Sequence, residues 1–339
     1  MPDFSGDRRA CMGEDIRELV CLLHPTFPVR HIGRLVTDTT DFTSIDYGDV
    51  ICLGDRHYMV LRDEAERRFG IEDFKFWVKR CRCLETGESA ILKLVFHEEF
   101  MQQVGLASIR SFRSQTKEAR ILRLVADDPR FMHGFSLEDE AGNLVRVLEV
   151  IRGKRLDVVI DALPGDHRHY FETDLKAMLA KVVDSCEAIG FLHANGEQHG
   201  DVRRDHLWFE SGTGLARWID FDYAYETSAN PFALDLFGLG NTLLFTVGKG
   251  IYTPDVFAGM AGADAVEPGD FSLIFKNRLV NLRRLFPYVP QALNTVLMHF
   301  SAGAEVFYES VEELLGDLRP CLDLLPDGRA GQTSAKEGV

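Results

Sequence analysis

Two aspartates, 19 positions apart, stand in the run richest in reactive side chains: His199-Gly200-Asp201-Val202-Arg203-Arg204-Asp205-His206-Leu207, then Trp218-Ile219-Asp220-Phe221-Asp222. Phosphoryl transfer calls for this inventory. One carboxylate orients the attacking hydroxyl, a second holds a divalent cation, and cationic side chains meet the phosphate charge. Asp201 and Asp220 fit the two carboxylate roles. The structural alternative makes Asp201 a loop cap and Asp220 a polar residue at a strand end.

Such groups need a frame. From residue 56 to about 100 the sequence is strand-like, in HYMVL, FKFWVKRCRC and SAILKLVF, and the turn Glu85-Thr86-Gly87-Glu88 parts the last two as a hairpin requires. Residues 108–125 carry apolar positions at helical spacing, and 143–151 is β-prone. The second half reads as mainly helical, with helices predicted over 175–193, 234–247, 272–286, 290–300 and 311–318 and two short strand-like pieces between 199 and 224. A β-rich segment followed by a helical one predicts an α+β fold of two lobes with a cleft between them. The expected organisation is an accessory segment over 1–55, an antiparallel β-rich N-lobe with one helix over 56–151, a helical C-lobe over 152–325, and a disordered tail over 326–339.

In this frame the motifs resemble those of the protein-kinase-like superfamily. His199-Gly200-Asp201 with Asp220-Phe221-Asp222 is similar to the catalytic loop H-R-D-L-x-x-x-N and the metal motif D-F-G, and H-G-D is the form found in aminoglycoside and choline kinases. The resemblance implies Asp201 as the catalytic carboxylate, Asp220 as the metal ligand and Arg203 as the cation at the transferring phosphate. Ala90-Ile91-Leu92-Lys93 resembles V-A-I-K, which implies Lys93 on the α- and β-phosphates and Glu118, in Glu118-Ala119-Arg120-Ile121-Leu122, as its ion-pair partner. The alternative for Glu118 is a surface pair with a neighbouring arginine. Val147–Ile151 resembles the hinge, with backbone groups of Glu149 and Ile151 on adenine, and Asp235 the aspartate that braces the catalytic loop.

The chain departs from that pattern in places. The glycine-rich loop falls at 69–76, FGIEDFKF, where Gly70 is the lone glycine and Asp73 and Phe76 occupy crowded positions. His206 replaces the metal-binding asparagine, and imidazole suits Mn²⁺ better than Mg²⁺. Asp222 replaces the glycine of D-F-G and offers the metal another carboxylate. Only 15 positions separate Asp220 from Asp235, and no A-P-E motif follows. That favours a small molecule or an unusual protein as acceptor.

Other signals narrow the field. The net charge of −15 argues against broad binding to nucleic acid or anionic lipid, and no apolar run is long enough to insert in a membrane. Seven scattered cysteines read as reduced thiols in the cytoplasm. His167 and His169 read as solvated, and Arg110, Arg113, Lys117, Arg120 and Arg123 as one solvated helix face. Gly238-Leu239-Gly240 lacks the third glycine of a dinucleotide fingerprint. The expectation is an ATP-dependent, Mg²⁺- or Mn²⁺-dependent phosphotransferase acting on a hydroxyl of a protein or small molecule. A pseudokinase and a kinase-fold adenylyltransferase stand as alternatives.

Overall fold

The strand-like run from residue 56 forms the centre of a sheet. The computed structural model describes residues 16–68, 71–104, 107–227 and 230–328. In chain order the helices and strands are α1 (Ile16–Leu23), β1 (Leu35–Val36), β2 (Val50–Leu53), β3 (Arg56–Arg68), β4 (Ile71–Cys83), β5 (Ser89–Lys93), β6 (Glu99–Val104), β7 (Ala107–Arg113), α2 (Gln115–Leu124), β8 (Gly134–Glu138) and β9 (Leu144–Glu149). Then come β10 (Gly153–Arg155), α3 (Leu156–Asp161), α4 (His167–Thr173), α5 (Leu175–Ala194), β11 (Leu207–Glu210), β12 (Ala216–Trp218) and β13 (Tyr223–Glu226). The chain closes with α6 (Ala233–Gly248), α7 (Pro254–Phe257), α8 (Gln291–Met298) and α9 (Val311–Leu318). The described residues fall into two units, one within Met1–His97, Gln115–Ala126 and His133–Val150, the other within Glu98–Ser114, Asp127–Met132 and Ile151–Val339.

The first unit is a seven-stranded sheet, ordered β1-β2-β3-β4-β5-β9-β8, with α2 packed on β8 and β9. Every pairing is antiparallel except that of β1 with β2. One face buries Ile51, Leu53, Tyr58, Val60, Leu92 and Val147, an alternating set as a one-sided sheet demands. Cys81 and Cys83 share this core, two positions apart on one face. The segment expected to be accessory supplies β1 and β2, and β2 is fully buried.

The second unit is mainly helical and holds two three-stranded sheets, β10-β11-β12 and β13-β7-β6. Helices α5, α6, α8 and α9 form within one residue or two of expectation; α5, α8 and α9 bury one face at a 3.6-residue period, whereas α6 is buried all round over its C-terminal half. Among the described residues, no helix is long and apolar enough to cross a membrane.

Four local expectations are corrected. Residues 107–113 are strand, because β7 finds ladder partners on both sides in β6 and β13; helix begins only at Gln115. The 272–286 stretch is irregular apart from a short 3₁₀ turn. There buried Asp270 organises the chain: its carbonyl accepts the Val280 and Asn281 amides, and its carboxylate accepts from Asn281 Nδ2 at 2.7 Å and Arg284 Nε at 2.8 Å. His167 is buried at the start of α4, stacked on Phe286 at 3.6 Å. Cys52 is disulfide-bonded, whereas Cys21, Cys81, Cys83, Cys186 and Cys321 are free thiols. Phe69 and Gly70 of the expected loop lie outside the described residues, as does the tail from 329; from Ile71 the expected loop is already strand β4.

Candidate functional site

In the first unit β5 and β9 run antiparallel with Lys93 directly opposite Arg146. Two cations in register repel each other unless an anion intervenes. Glu118, on the first turns of α2, is that anion: Oε1 lies 2.8 Å from Lys93 Nζ and Oε2 lies 3.0 Å from Arg146 Nε. Glu118 is completely buried, and Lys93 and Arg146 nearly so. Arg146 also donates to the carbonyls of Leu144 at 2.7 Å and Leu94 at 3.2 Å, which fixes its fork. The motif resemblance did not include Arg146. Its signal was a lone arginine inside the apolar run LVRVLE, where a charge needs a buried partner. At the end of β9, the Glu149 amide donates to the His133 carbonyl and the Glu149 carboxylate accepts the His133 amide at 2.6 Å.

In the second unit the hairpin of β11 and β12 places the other groups. Leu207 pairs with Trp218, and the Ile219 amide donates to the His206 carbonyl, so His206 and Asp220 emerge side by side. His206 Nδ1 donates to the Asp201 carbonyl at 3.0 Å. A carbonyl only accepts, so Nδ1 carries a proton, and Nε2 is the ring nitrogen left to meet another group. That nitrogen lies 3.6 Å from Asp220 Oδ2, while Nδ1 lies 3.5 Å from Asp201 Oδ2. Asp201, His206 and Asp220 together form a donor set compact enough for one cation. Two carboxylates and an imidazole suit Mn²⁺, and Mg²⁺ if water completes an oxygen-rich shell.

Backbone conformation holds this cluster in place. Asp220 has φ of 63° and Gly200 of 89°. The first is a left-handed conformation that aspartate adopts at a cost, and the second one that favours glycine. The amides of His199 and Gly200 donate to the two oxygens of buried Asp235, at 2.7 and 2.9 Å. Asp235 sits in the first turn of α6, so the loop bearing Asp201 is tied to a long buried helix. Gly238 lets that helix approach further, since a Cβ there would meet the Val202 carbonyl oxygen at 2.5 Å. Gly240 likewise makes room for the Phe300 ring. Both glycines of that pair are packing residues.

The neighbouring charges differ in their engagements. Arg203 Nε donates to Asp205 Oδ1 at 3.0 Å, and Arg203 Nη1 lies 3.6 Å from Asp201 Oδ2. Burial raises the Asp205 carboxyl, but His206 and Arg203 overcome it and hold it at about 2. Burial raises Asp201 above the usual carboxylate range, assisted by the charges of Asp220 and Asp205 and opposed by His206 and Arg203. Asp222 is buried, and both its oxygens face Arg113 Nη1, at 2.9 and 2.8 Å. Arg113 also donates to Glu98 at 2.7 Å and lies 4.1 Å from the centre of the Tyr223 ring, whose hydroxyl donates to the same Glu98. Asp222, expected at the metal, thus has an arginine across both oxygens. The helical reading of 108–125 hid this partner.

No family model matches the chain, and neither does any curated protein. Among solved structures it is similar to the kinase domain of PknI from Mycobacterium tuberculosis, in a double-mutant form, with 16% identity over 78% of this chain and 95% of that one and a TM-score of 0.48. It is similar also to the unmutated PknI kinase domain, with 16% identity, 78% and 96% coverage and a TM-score of 0.45.

Proposed function

We propose that the chain transfers the γ-phosphate of ATP to a hydroxyl of a protein or a small molecule. The observation that carries this reading is the cluster of Asp201, His206 and Asp220, three donors brought together by a hairpin and a loop braced on Asp235. Asp220 and His206 Nε2 would hold a divalent ion, Mg²⁺ or Mn²⁺, which when bound would supply positive charge against the charge that develops on phosphate. Asp201 accepts the proton of the attacking hydroxyl, a task eased by its raised proton affinity. Arg203, anchored by Asp205, meets the transferred group. Asp222 fixes Arg113 and adds charge beside Asp220. In the first unit, Lys93 binds phosphate oxygens, with Glu118 setting its position and Arg146 securing Glu118. Backbone groups of Glu149 and Ile151 hold adenine.

The test is ATP labelled separately at the α- and γ-phosphates, supplied with Mg²⁺ or Mn²⁺ to the wild type, Asp201→Ala and Asp220→Ala. Acceptors include the protein itself, generic proteins and hydroxylated metabolites. γ-Label transferred by the wild type and by neither variant supports the reading. Transfer of α-label overturns it in favour of adenylylation, and nucleotide binding without any transfer overturns it in favour of a pseudokinase.

A further inference from the structure

Arg203 and Arg204 are adjacent but differently placed. Arg203 is spanned by Asp205, whereas no carboxylate lies within ion-pair distance of Arg204 among the described residues, and its Nε is buried without an acceptor. The Arg204 guanidinium instead lies 4.9 Å from the centre of the Phe245 ring on α6. One turn earlier on the same helix, Asn241 Oδ1 accepts from Arg278 Nη1 at 2.5 Å, and Arg278 lies over Phe275 at 3.8 Å. Arg278 also has no carboxylate within ion-pair distance among the described residues. Positions 238, 241 and 245 share one helical face, and Gly238 is where Val202 of the loop bearing Asp201 packs. Two arginines therefore lie along one stripe of α6 beside that loop.

We propose that Arg204, Arg278 and the side-chain amide of Asn241 bind a phosphate-type oxyanion carried by the acceptor. Calling the anion's bearer the acceptor rests on the phosphotransferase reading; the anion site itself does not. Like charges packed together over aromatic rings are costly without an anion, and a planar guanidinium matches two oxygens of a phosphate at once. Burial and the charge of Arg204 depress the Arg278 guanidinium to about 10, which agrees with cations drawn together without a balancing carboxylate. Asp161 feels Arg204 and Lys249, yet its carboxyl is raised above its usual range by burial and by Asp157. It lies near enough to feel Arg204 but forms no ion pair with it. Asn241 Nδ2 is a further donor, since Oδ1 is taken by Arg278.

The site is tested by calorimetric titration of the full chain, without nucleotide and at low ionic strength, with inorganic phosphate and separately with glycerol 2-phosphate. Both anions are expected to bind the wild type and the control Arg319→Gln, which alters an exposed arginine paired with Glu187. Arg204→Gln and Arg278→Gln should each weaken binding about tenfold or more, the loss expected for a charge-assisted hydrogen bond. Arg278→Lys keeps the charge and loses the fork, so it too should weaken binding. Thermal unfolding identifies any variant that fails to fold, and the remaining two then decide. Unchanged binding in the folded variants, or no phosphate binding by the wild type, overturns the site. Binding of phosphate with exclusion of glycerol 2-phosphate overturns its assignment to an acceptor. Because nucleotide is absent, a failure of γ-transfer leaves these outcomes unaffected.

Discussion

The two charged clusters use similar residues in opposite surroundings. Around Glu118, the side chains of Lys93, Glu118 and Arg146 are 5%, 0% and 2% exposed, and each carboxylate oxygen meets a named cation. Around His206, the side chains of Asp201 and Asp220 remain 21% and 30% exposed, and the three groups stand 3.5 to 3.6 Å apart, outside hydrogen-bond range. A closed ion cluster fixes positions and commits stability to doing so. An open one keeps its donor atoms near one another while leaving part of its carboxylate surface to solvent. The first suits a brace, and the second has the geometry that the proposed cation requires.

The comparison breaks most sharply if the open cluster is not the reacting one. Asp201→Asn is expected to lower the transfer rate by about 10²–10⁴, the range for loss of a positioned proton acceptor, with its chemical-denaturation midpoint near that of the wild type. Normal turnover in that variant would remove Asp201 from the chemistry. Glu118→Gln should do the reverse. It leaves two buried cations facing a neutral amide, at a cost of about 3–5 kcal/mol in unfolding free energy. Urea titration reads this directly, and a loss below 1 kcal/mol would show that Glu118 is not what neutralises the pair.

These two clusters were not equally legible in the sequence. Asp201 and Asp220 could be found because a short hairpin brings them together, and its strand-like pieces stand in the sequence between them. Lys93 and Glu118 could be paired only through the resemblance of Ala90–Lys93 and Glu118–Leu122 to two kinase motifs. Arg146 and Arg113 could not, since each acquires its role through strand pairing with a distant segment. β9 places Arg146 against Lys93, and β13 pulls 107–113 out of a helical pattern. The 272–286 stretch misled for a related reason. Its apolar spacing suits a helix, but the buried carboxylate of Asp270 offers its polar groups better partners than helix carbonyls would.

Two histidines of the second unit sharpen the contrast. His206 stands between two aspartates. His167 is buried, with Nε2 donating to the Val247 carbonyl at 2.9 Å and Nδ1 accepting from the Tyr288 hydroxyl at 2.8 Å. Burial lowers the His167 imidazole to about 4. Unfolded, it takes a proton near 6.5; folded, it stays neutral until about 4. Its contribution is therefore complete above pH 6.5, and it fades as pH falls and is gone below about 4. The amount is of order 3 kcal/mol. Replacing the ring by a non-titrating amide, His167→Gln, should lower stability at pH 7.5 and flatten the decline between pH 6.5 and 4. A decline as steep as that of the wild type would place the acid sensitivity elsewhere.

The smallest expected effect concerns backbone rather than charge. Asp220 holds φ at 63°, which costs an aspartate about 1 kcal/mol that glycine does not incur. Asp220→Gly is therefore expected to offset much of glycine's greater chain entropy and to leave stability within about 1 kcal/mol of the wild type. Asp220→Ala keeps the strain and loses the local polar contacts, so it should be the less stable variant of the two. Both lose the carboxylate, so the rise in melting temperature expected of the wild type on adding Mn²⁺ should be absent in each. If Mn²⁺ still stabilised Asp220→Gly as it does the wild type, the open cluster would not be the cation's receiver. If alanine proved as stable as glycine, the left-handed backbone would be a property of the loop rather than a strain held for the sake of the carboxylate.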